Sequence, residues 1–302
     1  MKIMVFGSLN MDHVYRVQHI VQPGETVPSH SLEDICGGKG LNQSTAIKNA
    51  GADVIHAGCV GEEDGEPLLA FLRSKGVDIR LVCRKSVPSG HTVIQVNDAG
   101  ENCILLYGGA NQEVDEKLID RVLEELSSGD LLVMQNEISQ MPLLMIKAHA
   151  RGIRLVLNPS PIEGVLENLP LQLVDLFFLN EHEAQALSGT DEDVEAALLK
   201  RYPTARFVVT YGAKGAAVIG NDGTRLWADG HKVQAVDTTG AGDTFLGYFV
   251  SRLAKGADDG ECLRYAAQAA ALCVQRAGAA QSIPVLQEVE AALLRNRGQE
   301  PS

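Results

Sequence analysis

Short apolar runs alternate with helix-like patterns from about residue 115 onward. Residues 131–135, 153–157, 173–179 and 207–209 are nearly continuous apolar stretches. Such runs suit strands buried on both faces of a parallel sheet. Between them, residues 115–126, 142–150 and 181–187 carry helical periodicity. The alternation predicts right-handed βαβ units in a three-layer α/β architecture. The first third is more mixed. Residues 1–9 read as another central strand, and residues 13–20 and 30–35 as short strands. Residues 91–97 and 102–107 flank Asp98-Ala99-Gly100-Glu101 and read as a β-hairpin. These pieces, about 13–36 and 91–107, predict a small β-sheet projecting as a lid. The last third reads as helices over 244–255, 258–276 and 285–295, with a frayed tail over 297–302. With no internal repeat or low-complexity linker, residues 1–302 are expected to form one domain.

Ligands of open α/β sheets bind beyond the carboxyl ends of the strands. Short polar residues follow each apolar run at that end. Leu9 precedes Asn10-Met11-Asp12, and Gln135 precedes Asn136-Glu137. Leu157 precedes Asn158, Leu179 precedes Asn180-Glu181-His182-Glu183, and Val209 precedes Thr210-Tyr211-Gly212. Val236 precedes Asp237-Thr238-Thr239-Gly240-Ala241-Gly242-Asp243. Loops are polar anyway, so no single residue here identifies a site. Their coincidence at successive strand ends points to one cleft.

The formal charge of -13 disfavours nucleic acid as a partner, so any anion must be held locally. Cys36, Cys59, Cys83, Cys103, Cys262 and Cys273 include no Cys-X-X-Cys pair and read as reduced thiols. The amino-terminal apolar run lacks a signal-peptide cleavage region, and no run approaches the ~20 residues of a membrane span. A cytoplasmic protein is expected.

The stretch 237–245 carries the most chemistry. Its Gly-X-Gly turn ends in Asp243 and runs into an amphipathic segment. Backbone N–H groups at such a turn and helix start form an anion hole. A carboxylate beside it can accept a hydroxyl proton, as phosphoryl transfer from ATP to an alcohol requires. A bare Gly-X-Gly-Asp is equally an ordinary turn with the acid as helix N-cap. A second motif, Gly37-Gly38-Lys39-Gly40-Leu41-Asn42, enters a helix ending near Gly51. Its spacing is not that of a Walker A loop. Nor does a Gly-X-Gly-X-X-Gly follow the first strand, which argues against a dinucleotide-binding dehydrogenase.

Together the two motifs resemble the paired signatures of the ribokinase (PfkB) family of sugar kinases, in the family's order and roughly two hundred residues apart. Gly7-Ser8-Leu9-Asn10-Met11-Asp12, Pro23-Gly24-Glu25-Thr26, Gly108-Gly109-Ala110-Asn111 and Asn158-Pro159-Ser160-Pro161 are similar in detail, so the resemblance spans essentially the whole chain. It implies a ribokinase-like three-layer α/β/α fold with a mostly parallel central sheet and a β-sheet lid. By resemblance, Asn10, Asp12, Gly38, Lys39, Asn42 and Glu137 bind sugar hydroxyls. Asp243 is the base toward the 5-hydroxyl of D-ribose, and the amides of Gly240, Ala241 and Gly242 hold the phosphoryl charge. A helix N-terminus favours ionised Asp243, which makes it a weak base, tolerable in a loose transition state. Asn180 and Glu183 match an Asn-X-X-Glu element that organises Mg²⁺ and phosphate; alone, Glu183 reads equally as a first-turn helix acid. Thr210, Gly212 and Gly215 fall where the family binds ATP. Asp237, Thr239, Cys273, Arg276, Gly278 and Ser282 match its monovalent-cation (K⁺) site, mostly through backbone oxygens.

The segment Gly61-Glu62-Glu63-Asp64-Gly65 only approximates the family's acidic turn, and Tyr107 stands where a smaller or more polar residue is expected, so it could narrow the sugar pocket. Other acceptors, such as deoxyribose, another furanose or a nucleoside, stay open. So does a catalytically silent sugar or nucleotide sensor, although intact Asp243, Asn180 and Glu183 argue against one. A lid would expose a sheet face and edges, which pairing in a homodimer would cover, as the resemblance also implies.

Overall fold

The computed structural model describes residues 1–162 and 168–297. The predicted tail beyond 297 lies outside the described residues. The strands are β1 (Ile3–Phe6), β2 (Asn10–Arg16), β3 (Ser31–Gly37), β4 (Ile55–Gly61), β5 (Asp78–Lys85), β6 (Gly90–Val96), β7 (Asn102–Tyr107), β8 (Leu131–Gln135), β9 (Arg154–Asn158), β10 (Leu176–Asn180), β11 (Arg206–Thr210), β12 (Gly215–Ile219) and β13 (Arg225–Asp229). The helices are α1 (Lys39–Asn49), α2 (Glu66–Ser74), α3 (Glu116–Glu124), α4 (Met141–Ala150), α5 (Glu181–Ser188), α6 (Val194–Arg201), α7 (Ala241–Ala254), α8 (Asp259–Cys273) and α9 (Leu286–Arg297).

The large sheet runs β13-β12-β11-β10-β9-β8-β1-β4-β5. It is parallel from β11 to β5, while β12 and β13 add on antiparallel. Alternate residues of its central strands enter different cores. Met4, Phe6, Leu132 and Met134 pack with α3 and α4 residues such as Leu118, Ile119 and Met145. Ile3, Val5, Leu131 and Val133 pack with α1, α7 and α8 residues such as Ile47, Phe249 and Leu263. Burial on both faces is why these strands read as uninterrupted apolar runs. The result is a mixed α/β, three-layer fold.

The second sheet has the order β3-β2-β6-β7. It contains the predicted hairpin β6–β7 and leaves the first strand end directly, because β2 begins at Asn10. Its base is tied down at Ser89. The Asp64 carboxylate accepts the Ser89 backbone N–H at 3.0 Å and its hydroxyl at 2.6 Å, and Ser89 Oγ accepts the Gly61 N–H at 2.8 Å. That gives the approximate acidic turn a structural purpose.

Three expectations change. The apolar residues before Asp237 are not a strand; residues 230–240 form an irregular loop. Strands β4, β5, β12 and β13 and helices α2 and α6 went unread in the sequence. The run at 173–179 is split, with a short 3-10 turn at Leu171–Leu173 ahead of β10.

Candidate active site

The carboxyl ends of β9, β10 and β11 and the first turns of α1 and α7 enclose a cleft of about 180 Å³. Lys39, Asn180, Glu183, Thr210, Gly242 and Asp243 face it. Two signatures two hundred positions apart meet here because α1 packs along α7. The helices approach so closely that a Cβ on Gly247 would lie 2.3 Å from that of Ala46.

Asp243 is not the helix cap. The N-cap of α7 is Gly240, in the left-handed region at φ 75°, and it makes no side-chain cap bond. The Asp243 carboxylate turns inward, is buried, and accepts the Asn42 Nδ2–H at 3.0 Å and the Gln43 Nε2–H at 2.9 Å. Burial pushes its pKa up, against the pull of Lys39 and the two amides. Desolvation penalises the anion more than Lys39 and the two amides favour it.

The helix start also refines the anion hole. The Ala241 N–H is taken by the Thr238 carbonyl at 3.2 Å. The N–H groups of Gly242 and Asp243 have no backbone acceptor among the described residues. A Cβ on Gly242 would meet nothing within 4 Å, so this residue borders open space. The Gly240 N–H likewise has no backbone acceptor among them, so of the three expected donors only Ala241 is taken, closing the turn.

On one side lie the candidate sugar groups. The Glu137 carboxylate accepts the Lys39 backbone N–H at 3.2 Å and the Ser8 hydroxyl. Burial raises its pKa against the pull of Lys39. Burial alone would lower Lys39, but Asp243, Glu137 and Glu183 outweigh it and hold the ammonium charged. Asp12 accepts the Thr92 hydroxyl, and burial raises its pKa. A Cβ on Gly37 would lie 2.2 Å from Asp12 Oδ2, so only glycine fits beside that carboxylate. Asn10 Oδ1 accepts the Asn111 Nδ2–H at 2.7 Å. Gly38 makes the turn into α1 at φ 93°. Asn42, expected to face a sugar, donates its Nδ2–H to Asp243 and leaves its Oδ1 without a partner.

On the other side the cleft opens into a pocket of about 740 Å³, sharing Thr210, Gly242 and Phe245. Gly212 and Gly215 line it, with Ala267, Ala270 and Val274 of the α8 region forming an apolar wall. Asn180 and Glu183 build a capping box: Asn180 Oδ1 accepts the Glu183 N–H and Glu183 Oε2 accepts the Asn180 N–H, both at 2.9 Å. The helix-acid reading of Glu183 therefore holds, and the same residues face the cleft. With Oε2 engaged, Glu183 keeps Oε1 for a hydrated cation, which fits a water-mediated Mg²⁺ role.

The six residues matched to a cation site fall into two local sets. Asp237 accepts the N–H groups of Thr239 and Gly278, both at 2.9 Å. Cys273 Sγ and Ser282 Oγ share a hydrogen bond at 3.0 Å. The Arg276 guanidinium turns away to Glu288, so only its backbone is available. No group of three or more His, Cys, Asp or Glu suited to a metal occurs among the described residues. Any cation here would rest on the Asp237 carboxylate and backbone oxygens, a donor set that suits a monovalent ion.

Tyr107 does not narrow the cleft. It pairs with His91 across β6–β7 and packs on that ring at 5.0 Å between centroids. Asp12 pairs with Thr92, one position on, and so points to the opposite face. The β7 residue sharing the Asp12 face is Leu106. Sequence reasoning missed Ser8, Gln43, Thr92, Asn111 and Gln135. One signal was present: Asn42-Gln43-Ser44-Thr45 is a polar run in α1, and all four are buried.

A buried carboxylate beside free helix-start amides thus stands between a polar cleft and an apolar pocket on a three-layer α/β fold. The pfkB family carbohydrate kinase model matches residues 1–286. The chain is 34% identical to the ribokinase of Haemophilus influenzae, covering 95% of this chain and 96% of that protein. It is 30% identical to the deoxyribokinase of Salmonella typhi, over 98% of this chain and all of that protein. The structure of Arabidopsis thaliana ribokinase complexed with ribose and ATP superposes with a TM-score of 0.87 at 28% identity, over 97% of this chain and 98% of that one. The chain belongs to the pfkB family of carbohydrate kinases, and its class is that of an ATP-dependent carbohydrate kinase.

Proposed function

We propose that the protein transfers the γ-phosphoryl group of ATP to the 5-hydroxyl of D-ribose, giving ADP and ribose 5-phosphate. The observation that carries this reading is the position of Asp243. Its buried carboxylate and the unpartnered N–H groups of Gly242 and Asp243 lie where the polar cleft meets the apolar pocket. Asn10, Asp12, Lys39 and Glu137 bind the sugar hydroxyls. An analogue lacking one hydroxyl leaves a buried partner unpaired, which costs more than a lost methylene. Asp243 takes the proton of the attacking hydroxyl. Lys39 balances the negative charge gathered around it. The Gly242 and Asp243 amides receive the phosphoryl oxygens, with no reorganisation needed as charge develops. The apolar pocket takes the adenine, and Thr210, Gly212 and Gly215 border the nucleotide. Asn180 and Glu183 would hold Mg²⁺ through water, and the ion would neutralise phosphate charge. Asp237, Thr239 and the carbonyls of Cys273, Arg276, Gly278 and Ser282 would hold K⁺ beside the loop that leads into the anion hole. The reaction takes place in the cytoplasm, and no helix among the described residues is long and apolar enough to cross a membrane.

The small sheet acts as the lid and pairs with that of a second copy. Its edge strand β7 leaves Ile104, Leu105, Leu106 and Tyr107 about half exposed or more. An apolar edge of this kind is a pairing surface. A dominant monomer in light scattering at micromolar concentration would sink the dimer.

The acceptor is tested by coupled ADP release with ATP, Mg²⁺ and K⁺ across ribose, deoxyribose, fructose, fructose 6-phosphate, adenosine and pseudouridine. Fast turnover on ribose is expected. Faster turnover on deoxyribose or another member would keep the base and hole and reassign the pocket. ATP binding with no turnover on any acceptor would favour a sensor.

A further inference from the structure

Behind the proposed base lies a layer of buried amides that no sugar or nucleotide would touch. Gln43 Nε2 donates to Asp243 Oδ1 at 2.9 Å, and Gln135 Nε2 donates to Gln43 Oε1 at 2.6 Å. Both glutamines are fully buried. Gln135 ends β8 and Gln43 lies in α1, so the chain links the central sheet to the carboxylate through a helix that itself carries Lys39. The order of donors is forced. Flipping the Gln43 amide would set its oxygen against the carboxylate and its NH₂ against that of Gln135. Gln135 in turn keeps its donor forward although its Oε1 is left buried without a partner. An unpaired buried acceptor is unfavourable, so the arrangement persists because the donor is used. Gly7 makes room for it: a Cβ there would lie 2.0 Å from Gln135 Oε1.

We infer that Gln135 and Gln43 form an amide relay that positions the Asp243 carboxylate for attack, Gln43 by direct contact and Gln135 by fixing the Gln43 amide. The inference rests on the proposed phosphoryl transfer. Asn42 holds the second carboxylate oxygen, so losing Gln43 leaves the acid hinged on one bond. The charged groups around Asp243 are Lys39 from α1 and Glu137 from the loop after β8, with Glu183 from α5 lining the same cleft and acting on Lys39. None of them contacts Gln43 or Gln135 by hydrogen bond, so replacing either glutamine leaves the charge set intact.

The test is a double-mutant cycle with Gln43→Met and Gln135→Met, near-isosteric changes that remove the amides. The relay predicts that Gln43→Met lowers kcat by about 10- to 100-fold, the scale of a misplaced reacting group. Sugar and ATP KM should stay within about twofold. Gln135→Met should lower kcat by a smaller factor, and the double variant should match Gln43→Met alone. Multiplying effects, or KM rising as much as kcat falls, would overturn the relay. If Gln43→Met does not fold, Gln43→Asn, which keeps an amide on a shorter arm, takes its place in the cycle. If the wild type turns over no acceptor, the kinase reading fails by itself. The relay is then read from the Gln43 side-chain amide resonances: a shift on Asp243→Asn supports it, and no shift overturns it.

Discussion

The two halves of the site are built by opposite means. The proposed nucleotide side is a pocket of about 740 Å³ with an apolar wall, where burial of a flat ring would supply binding and few side chains need exact placement. The proposed acceptor side is built of buried polar side chains: Lys39 and Asp243 face the cleft of about 180 Å³, and Glu137 lies beside Lys39. Most of these groups are fixed by another: Glu137 by Ser8, Asp12 by Thr92, Asn10 by Asn111, Asp243 by Asn42 and Gln43. The difference teaches that substitutions on the acceptor side should change rate and selectivity steeply, while those on the nucleotide side should change one KM gently.

The largest break in that contrast should come from Asp243→Asn. Turnover should fall more than ~10²-fold, the low end of general-base contributions, with sugar and ATP still bound in calorimetry. Near-normal turnover would remove Asp243 from the base role. Next, Glu137→Ala and Lys39→Ala should raise sugar KM by roughly 10- to 100-fold, as the loss of a buried hydrogen-bonded partner does, while ATP KM stays close to wild type in the same assay. Gly242→Ala should lower turnover by about tenfold by crowding the hole. Its melting temperature should not drop, because the added methyl meets nothing and alanine suits a helical position. A lowered melting temperature would mean that the glycine serves folding. Smallest, Ala270→Leu should raise ATP KM several-fold, about 1 kcal/mol, the low end for a pocket methylene change, with kcat and sugar KM unmoved.

pH sharpens the comparison. Burial raises Asp243 above the ordinary 3.8 of a carboxyl. Only the ionised form accepts a proton, so kcat should fall as pH drops through the raised value, with an acid limb above that of an exposed carboxylate. For stability the sign is opposite to that of a salt-bridged acid. The folded state holds the Asp243 proton more tightly, so this contribution is complete below the unfolded pKa and is lost as pH rises through the folded one. Asp243→Asn should remove that dependence, which pH-dependent denaturant melts would read.

The large sheet was legible where strands are buried on both faces. Residues 131–135 became β8 without change, because Leu131 to Met134 are apolar and buried on both faces of the sheet. Strand β13 was hidden because Arg225, Leu226 and Trp227 are exposed at an edge, where packing imposes no pattern. In the site, glycines and the acid were readable because close backbone approach demands particular residue types. The partners Ser8, Thr92, Asn111 and Gln135 were not, since a lone hydroxyl or amide looks alike in a loop and behind a carboxylate. The contact of Asn42 with Asp243 was hidden for the same reason: its place in the motif was visible, but its direction toward Asp243 depends on how α1 lies against α7.

The most direct test of the central claim is product identification by phosphorus and proton NMR after incubation with ATP, Mg²⁺, K⁺ and D-ribose. The account predicts one new phosphomonoester whose phosphorus couples to the C5 protons of ribose, formed in equal amount to ADP. Phosphate at another carbon, or free phosphate with ribose unchanged, would contradict it.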